Sequence, residues 1–268
     1  MTARAATPLF GISCALLAAF AFSGNDVLIR VLSGGYPLHE IVFVRAIFGL
    51  LLTIAIIVPL EGGLRHFKTR KLGLHLLRGA FVVMANMTFF TGLVVLPLAS
   101  ATAIFFVAPL MIAVLSIIFL GEAVGPRRWT AIIVGLVGVV IVVQPGGESF
   151  QLAALLPVAA ALCYAALHIL TRKMGGTESA ATMAVYAQAI FVVIAGLFGL
   201  IAGGGGFLES DHPSLVFLLG AWTEPSLSDV AIMCAAGVGS ATGGYLITQA
   251  YRTTEAALVA PFEYAALI

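Results

Sequence analysis

The sequence VAP at Val107–Pro109 recurs as VAP at Val259–Pro261, and AIF at Ala46–Phe48 recurs at Ala189–Phe191. Segments that repeat in the same order indicate that the second half of the chain copies the helix pattern of the first. If each copy contains an odd number of spans, the two copies must lie upside down relative to each other. Inverted repeats of this kind are how many secondary transporters place a binding site near the middle of the membrane. The repeat therefore indicates a membrane carrier.

The composition is typical of a polytopic membrane protein. Of the 268 residues, 61% are hydrophobic and only 9% are charged, whereas about a quarter of the residues in a soluble domain are charged. Cys14, Cys163 and Cys234 all fall within apolar runs, so we interpret them as small buried residues rather than as a disulfide or metal framework. We expect no metal, no cofactor and no nucleic-acid partner. The expected partners are the lipid bilayer and a small-molecule substrate.

Nine apolar stretches are candidates to cross the hydrocarbon layer, which is about 30 Å thick. Gly, Pro or charged residues separate them, and residues 203–228 form the one long connection. No small-residue cleavage pattern follows the first stretch, so it is expected to be a retained helix rather than a signal peptide. The predicted spans cover residues 8–31, 38–60, 74–96, 98–120, 127–144, 151–172, 179–202, 229–250 and 254 onward.

The Lys and Arg residues predict the orientation of these spans, because cytoplasmic loops are enriched in them. Loops 32–37, 145–150 and 203–228 contain neither residue and are therefore expected outside the cytoplasm. Nine alternating spans then place the N-terminus in the cytoplasm. The basic residues assigned to the cytoplasmic side are Arg4, Arg65, Lys68, Arg70, Lys71, Arg78, Arg127, Arg128, Arg172, Lys173 and Arg252.

The two halves divide the chain between residues 146 and 147. Residues 1–146 contain five spans and form the first repeat, and residues 147–268 contain four spans and form the second, inverted repeat. The ninth span has about fifteen residues before the sequence ends, fewer than the ~20 that a crossing helix needs. We therefore expect the rest of the ninth span and a tenth span to lie beyond Ile268. The predicted fold is an all-α polytopic membrane protein with 5+5 inverted-repeat transmembrane helices, nine of them visible.

Several segments resemble those of a known family. PLASATAIFFVAPL at Pro97–Leu110, LGE at Leu120–Glu122 and APFEY at Ala260–Tyr264 are similar to recurrent segments of the drug/metabolite transporter superfamily, and within it of the EamA-type exporters. The resemblance covers essentially the whole chain. It implies a secondary transporter in the bacterial inner membrane that exports small amphipathic metabolites, with amino acids, including aromatic ones, as the favoured substrates. Because such families also carry vitamins, nucleosides and cationic drugs, import or export of another metabolite class is the alternative.

Two ionisable residues lie at matching depths in neighbouring spans. With a rise of 1.5 Å per residue, Asp26 lies about 8 Å and Arg45 about 10 Å below the outer face. Ionisable groups within a membrane are costly and usually face a cavity or a partner. We therefore predict that Asp26 and Arg45 form a pair that acts in a gate or in coupling. The alternative is a static structural pair.

The repeat extends this prediction to the second half. It assigns His168 to the position that Asp26 holds in the first half, and Gln188 to the position of Arg45. Two alternating gates would need a polar cluster on each side of the midplane, so His168 and Gln188 are predicted to act in the second gate or in coupling. The alternative for His168 is a hydrogen bond to a neighbouring backbone carbonyl.

The ninth span contributes a further carboxylate. Glu263 lies about 15 Å into that span, where it would suit a substrate ammonium group or a coupling proton. Pro109 and Pro261 each remove a backbone hydrogen bond in mid-span, and helix kinks are expected at both. A kink frees a carbonyl, which a membrane tolerates only beside protein or water. Helix packing alone is the alternative explanation for Glu263 and for the two prolines.

Aromatic and amide side chains complete the predicted site. Asn86, Phe89 and Phe90 share one helix face, since they are spaced at i, i+3 and i+4. Such a lining offers apolar walls for a side chain and polar groups for a zwitterion, whereas any one aromatic residue could instead face lipid. The predicted substrate-binding residues are Asn25, Asn86, Phe89, Phe90, Phe105, Phe106, Tyr164, His168, Tyr245, Gln249, Phe262 and Glu263.

Two other function classes are disfavoured. An intramembrane enzyme would need a motif such as HExxH, paired aspartates, or a nucleophile with a base at readable distance, and the sequence shows none, so no catalytic residue is assigned. A channel would need a filter loop or rings of charge. The driving force stays open, because either proton exchange or the concentration gradient of the substrate would suffice.

Overall fold

The computed structural model describes residues 8–63, 68–143, 152–205 and 213–267. Within these ranges the regular structure is helical, without a strand. Expectations about Arg4, Arg65, the loop 145–150 and part of the connection 203–228 lie outside the described residues. The helices are α1 (Pro8–Leu32), α2 (Leu38–Glu61), α3 (Leu72–Val95), α4 (Leu98–Leu120), α5 (Pro126–Val143), α6 (Leu155–Met174), α7 (Ala180–Ala202), α8 (Pro213–Leu219), α9 (Leu227–Thr253) and α10 (Ala256–Val259).

The all-α polytopic fold predicted from the sequence is confirmed. In the described part of the chain, α1, α2, α3, α4, α6, α7 and α9 are long and apolar enough to cross a membrane. The fifth predicted span corresponds to α5, which has 18 residues. The ninth corresponds to α10 and the 3-10 helix Ala260–Leu267 that follows it. The short helix α8 lies in the connection 203–228 and was not predicted.

Local sequence sets several helix ends. The side chains of Ser179 and Ser226 precede α7 and α9, and each accepts a hydrogen bond from the backbone N–H three residues later, which satisfies a donor that has no partner within the helix. At their C-terminal ends, α2 and α4 are capped by Gly62 and Gly121, whose φ values are 115° and 68°. Glycine adopts this left-handed conformation without steric cost.

Three of the predicted spans change their helical geometry in mid-course. Within α2, residues Thr53–Ile57 form a π-helical turn just before Pro59. The α-helical turns of α4 stop at Phe105 and resume at Ala108, so the break immediately precedes Pro109. The ninth span changes from α-helix to 3-10 helix at Ala260, next to Pro261. Proline has no backbone N–H and therefore cannot complete the hydrogen-bond ladder, and all three irregular segments lie close to a proline.

The most extensive helix contacts cross between the two halves of the chain. Helix α1 packs on α9, α3 packs on α6, and α2 packs on both α7 and α9. Glycines allow the closest approach, because a Cβ at Gly239 would lie 3.0 Å from the Ala21 carbonyl oxygen and one at Gly243 would lie 3.0 Å from the ring of Phe22. The halves thus form one interleaved bundle.

Polar contacts join the helices at the end of the bundle that carries Lys68, Lys71, Lys173 and Arg252, here called the basic end. Around Glu178, the Thr69 hydroxyl donates to Oε1 at 2.9 Å, His75 Nε2 lies 3.3 Å from Oε2, and Arg252 Nε donates to the backbone oxygen at 2.9 Å. Lys71 Nζ donates to the Thr177 hydroxyl at 2.9 Å. These bonds tie the start of α3 to the segment between α6 and α7.

Replacing Gly237 with Ala is expected to destabilise the contact between α2 and α9 by about 1–3 kcal/mol. The new Cβ would lie 2.7 Å from the backbone oxygen of Arg45 and 3.3 Å from Cβ of Phe48, and a backbone atom cannot rotate away. Gly24→Ala is the matched control, since nothing lies within 4 Å of a Cβ there and alanine favours a helix. Denaturant unfolding in detergent measures both variants. Equal stabilities would contradict the packing described here.

Candidate functional site

A cavity of about 840 Å³ lies between α1, α2, α3, α4, α6, α7 and α9. Glu263, from the 3-10 helix after α10, also lines it. The volume falls within the range of about 300–1,000 Å³ that is usual for small-molecule sites. Thirteen residues singled out in the sequence line this cavity: Asn25, Asp26, Arg45, Asn86, Phe89, Phe90, Phe105, Phe106, Pro109, Tyr164, His168, Gln188 and Glu263.

Aromatic rings follow one another along one side of the cavity. The ring centroids of Phe89 and Phe105 are 5.2 Å apart, and those of Phe105 and Tyr164 are also 5.2 Å apart, in edge-to-face geometry. His168 continues the series, with its ring 4.1 Å from that of Tyr164 and stacked 4.0 Å from that of Tyr251. Edge-to-face and stacked pairs are favourable arrangements of aromatic rings. Of these rings, Phe89, Phe105, Tyr164 and His168 line the cavity and form a wall against which a flat ligand ring can pack, whereas Tyr251 is not part of the lining.

Arg45 lies at the centre of a polar cluster formed by side chains of α1, α2 and α3. Its side chain is buried, and it donates to Asn25 Oδ1 and Asn86 Oδ1, each at 3.1 Å. Asn25 Nδ2 in turn donates to Asp26 Oδ1 at 3.0 Å. The predicted direct pair of Asp26 with Arg45 therefore differs from the structure, where the amide of Asn25 stands between the two charges. Positions 25 and 26 point about 100° apart on a helix, and it is Asn25 that faces the guanidinium.

Glu263 is held by two phenol groups. The Tyr164 hydroxyl donates to Oε2 at 2.7 Å and the Tyr251 hydroxyl donates to Oε1. Neither donor carries a positive charge, and no described Lys, Arg or His lies within ion-pair distance of this carboxylate. Glu263 is therefore a carboxyl group in the cavity lining without an ion-pair partner among the described residues. The neighbouring Pro261 lies outside the cavity lining.

His168 and Gln188 bring polar atoms into the cavity from α6 and α7. Neither ring nitrogen of His168 has a hydrogen-bond partner among the described residues, although the ring is fully buried. The alternative of a bond to a backbone carbonyl is therefore not observed. Gln188 packs against Gly49, and its Oε1 likewise has no partner. Buried polar atoms are almost always bonded, so these three atoms are candidates for contact with a ligand or water.

Three predicted binding residues lie elsewhere. The Tyr245 hydroxyl donates to Glu61 Oε1 at 2.8 Å, and the Gln249 amide donates to the same oxygen. Glu61 Oε2 also accepts a bond of 3.1 Å from the backbone N–H of Ala181, so this carboxylate joins the ends of α2, α7 and α9. Phe262 is also absent from the cavity lining. For Tyr245, Gln249 and Phe262 the structure departs from the prediction, because helix packing turns them away from the cavity.

Arg78 lines the cavity, although it was not among the predicted site residues. The sequence predicts it on the cytoplasmic side together with the preceding basic residues, whereas in the structure α3 begins at Leu72 and Arg78 belongs to its second turn. The side chain is 5% exposed and lines the cavity. Only its distance from the start of the helix could have identified it as a site residue from the sequence, since a charge more than a turn inside a span is unusual.

The LGE segment after α4 has a structural explanation. Glu122 Oε1 lies 3.2 Å from Arg172 Nε in an ion pair, and the carboxylate accepts bonds from the backbone N–H groups of Ala256 and Ala257 at 3.3 and 3.2 Å. A carboxylate at a helix N-terminus is favourable. Glu122 thus fixes the start of α10, and with it the segment that carries Glu263 into the cavity.

The cavity offers carboxylates, guanidinium groups, amides and aromatic rings. Across the part of the chain that the structure describes, no group of three or more His, Cys, Asp and Glu side chains is placed to hold a metal ion. Charged groups of both signs beside apolar walls are suited to an organic molecule of mixed polarity.

Comparison with known proteins gives concordant results. The model of the EamA-like transporter family matches residues 9–144. An S-adenosylmethionine uptake transporter of Rickettsia bellii is 28% identical over 258 residues, which is 96% of this chain and 81% of the relative. Riboflavin transporters of Rhizobium johnstonii and Vibrio cholerae are 29% and 27% identical, over 92% and 97% of this chain and 76% and 82% of theirs.

A protein of known crystal structure also resembles this chain. The two superpose with a TM-score of 0.73 over 96% of this chain and 84% of the other, at 17% sequence identity. Similarity at that level of identity shows the fold alone, and it supports the helix arrangement described above.

Proposed function

The chain belongs to the EamA-like transporter family of the drug/metabolite transporter superfamily, and from that premise we propose that its central cavity carries a small amphipathic metabolite by alternating access. The protein is a multi-pass membrane transporter. The observation that best supports the proposal is the cavity of about 840 Å³, which combines an aromatic wall with two buried arginines and two carboxylates. Alternating access around such a midplane site is the usual mechanism of transporters built from inverted repeats.

The proposed substrate class combines a flat ring with polar or charged groups. The sequence favours amino acids, including aromatic ones, and the aromatic wall from Phe89 to His168 suits their side chains. The relatives are named for S-adenosylmethionine and riboflavin, which both contain a planar ring system. Aromatic amino acids, S-adenosylmethionine and riboflavin thus each combine a planar ring system with polar groups. S-adenosylmethionine also ends in an amino-acid group.

We further propose that the basic end is cytoplasmic and that the membrane is the bacterial inner membrane. Described basic residues, among them Lys68, Arg70, Lys71, Lys173 and Arg252, gather at this end, as the positive-inside rule requires. The contacts of Glu178 with Thr69, His75 and Arg252 then form a closed inner gate. The sequence predicts export, whereas the relatives are named for uptake or for transport without a stated direction.

Counterflow in proteoliposomes tests the proposed function. Proteoliposomes that contain the purified protein are loaded with unlabelled compound. The uptake of radiolabelled phenylalanine, S-adenosylmethionine or riboflavin into them is then followed with and without a pH gradient. We expect at least one tracer to accumulate above protein-free liposomes and to be competed by compounds of its own class. A dependence on the pH gradient would identify proton coupling. If neither these tracers nor nucleosides and cationic drugs exchange, the proposed function is wrong.

A carrier also leaves its cargo chemically unchanged. The transporter names of the relatives support this for the present chain, and we propose no catalytic residue. Mass spectrometry of the compound recovered from the liposomes tests the point, since an intramembrane enzyme would return a product of different mass.

A further inference from the structure

Arg78 places a buried positive charge at the cavity. It lies six residues into α3, about 9 Å from the start of the helix, and its side chain is 5% exposed. Its guanidinium is bonded on three sides: Nε donates to Thr171 Oγ1 at 2.9 Å, Nη1 to the Met183 backbone oxygen at 3.1 Å, and Nη2 to Thr248 Oγ1 at 2.9 Å. These partners belong to α6, α7 and α9, so four helices meet at this side chain.

The partners hold the guanidinium in one orientation. The hydroxyl of Thr171 donates its own proton to the Leu167 carbonyl at 2.8 Å, and that of Thr248 donates to the Gly244 carbonyl at 2.6 Å. Both hydroxyl oxygens must therefore act as acceptors towards Arg78. A guanidinium has five N–H groups, of which three are used, so one N–H on each terminal nitrogen is left for a ligand.

All three acceptors of Arg78 are neutral. Among the described residues, no Asp or Glu oxygen lies within 4 Å of its nitrogens. Two other arginines do have an acidic neighbour: Arg172, in the last turn of α6, pairs with Glu122 at 3.2 Å, and Arg45 reaches Asp26 through Asn25. A buried charge without a counter-charge is costly within a membrane and usually marks a functional contact.

We propose that Arg78 binds an anionic group, a carboxylate or a phosphate, of the transported molecule. The inference rests on the proposed transport function and narrows its substrate class to acids and zwitterions. Terminal guanidinium nitrogens bind carboxylates and phosphates through two parallel hydrogen bonds, and the two free N–H groups of Arg78 are on those nitrogens. Glu263 lines the same cavity, so a molecule with an ammonium or sulfonium group and a carboxylate meets a complementary charge for each.

Binding of matched acid and neutral compounds tests this inference without requiring transport. The purified protein in detergent is titrated calorimetrically with phenylalanine and phenylalaninamide, and with riboflavin 5′-phosphate and riboflavin. Each pair differs in one anionic group. We expect the acid of at least one pair to bind at least tenfold more tightly, with the first pair reporting a carboxylate site and the second a phosphate site. Equal affinities within both pairs, or no binding by any of the four compounds, would overturn the inference.

Variants assign the preference to this residue. Arg78→Gln is expected to abolish the preference for the acid. Arg78→Lys keeps the positive charge but loses the two parallel N–H donors of the guanidinium, and is expected to weaken the preference. The control Arg127→Gln removes an exposed arginine at the start of α5. This variant is expected to retain the preference for the acid. A preference that survives in Arg78→Gln overturns the inference. If that variant does not fold, the Arg78→Lys and wild-type titrations decide, and a wild-type preference unchanged in Arg78→Lys overturns it.

The same compounds distinguish this inference from the transport function. Tight acid-selective binding without counterflow would leave the Arg78 site standing and refute the carrier. Counterflow of a neutral compound without any preference for the acid would leave the carrier standing and refute the site.

Discussion

Replacing Glu263 with Gln is expected to lower transport roughly tenfold to a hundredfold while the protein still inserts into the membrane. The substitution keeps the size of the side chain and an oxygen that can accept a bond from Tyr164 or Tyr251. It removes the negative charge that faces the cavity. A hydrogen bond to a charged group contributes about 1.5–3 kcal/mol, and every 1.4 kcal/mol corresponds to about a factor of ten. The loss is expected for substrates that carry an ammonium or sulfonium group.

Initial rates in proteoliposomes, normalised to the amount of inserted protein, measure this effect. Glu224→Gln is the matched control, because Glu224 is exposed and lies outside the helices, before α9. It is expected to transport at the wild-type rate. An unchanged rate in Glu263→Gln would remove this carboxylate from the binding site and leave it as a residue that joins the ninth span to α6 and α9.

Replacing Arg45 with Ala is expected to cost about 3–5 kcal/mol of unfolding free energy, as for a buried charge whose partner is removed. The guanidinium is 1% exposed and holds Asn25 and Asn86 through two bonds. Without it, Asp26 loses the nearby positive charge, and the amides of two helices lose a common donor. Denaturant titration in detergent measures the stability, and the loss of transport is expected to accompany it.

A double-mutant cycle with Asp26→Ala shows whether the two charges interact across Asn25. We expect the double variant to be less destabilised than the sum of the single variants by about 0.5–3 kcal/mol. Asp229→Ala provides the comparison, since Asp229 is bonded to Tyr36 at the far end of α9 and should combine additively with Arg45→Ala. Additivity in both cycles would mean that Asp26 and Arg45 are independent.

The helix boundaries were predictable because a bilayer leaves the backbone few choices. Without water to bond, each crossing segment must be helical and about 20 residues long. The span predicted at residues 38–60 is Leu38–Glu61 in the structure, and the one predicted at 179–202 is Ala180–Ala202. Helix α8 was missed, since its seven residues are too few for a periodic pattern to be read.

The candidate site was predictable where a single residue type is informative. Asp26, Arg45 and His168 were chosen because ionisable groups within spans are rare, and all three line the cavity. Tyr245 and Gln249 were chosen by type as well, yet both bind Glu61. Hydropathy in a buried helix is similar on all sides, so the sequence does not say which face of α9 meets the cavity.

The sequence by itself determined that the chain is a bundle of membrane-spanning helices, because that property depends on local composition, and from the order of its segments it predicts an internal repeat. Only the tertiary structure decided which charges meet. It put Asn25 between Asp26 and Arg45, gave Glu263 two tyrosine donors, and left Arg78 without an acidic partner among the described residues. Those partners come from helices far apart in the chain, and their meeting depends on how the helices rotate and pack, which small residues such as Gly237 and Gly239 permit.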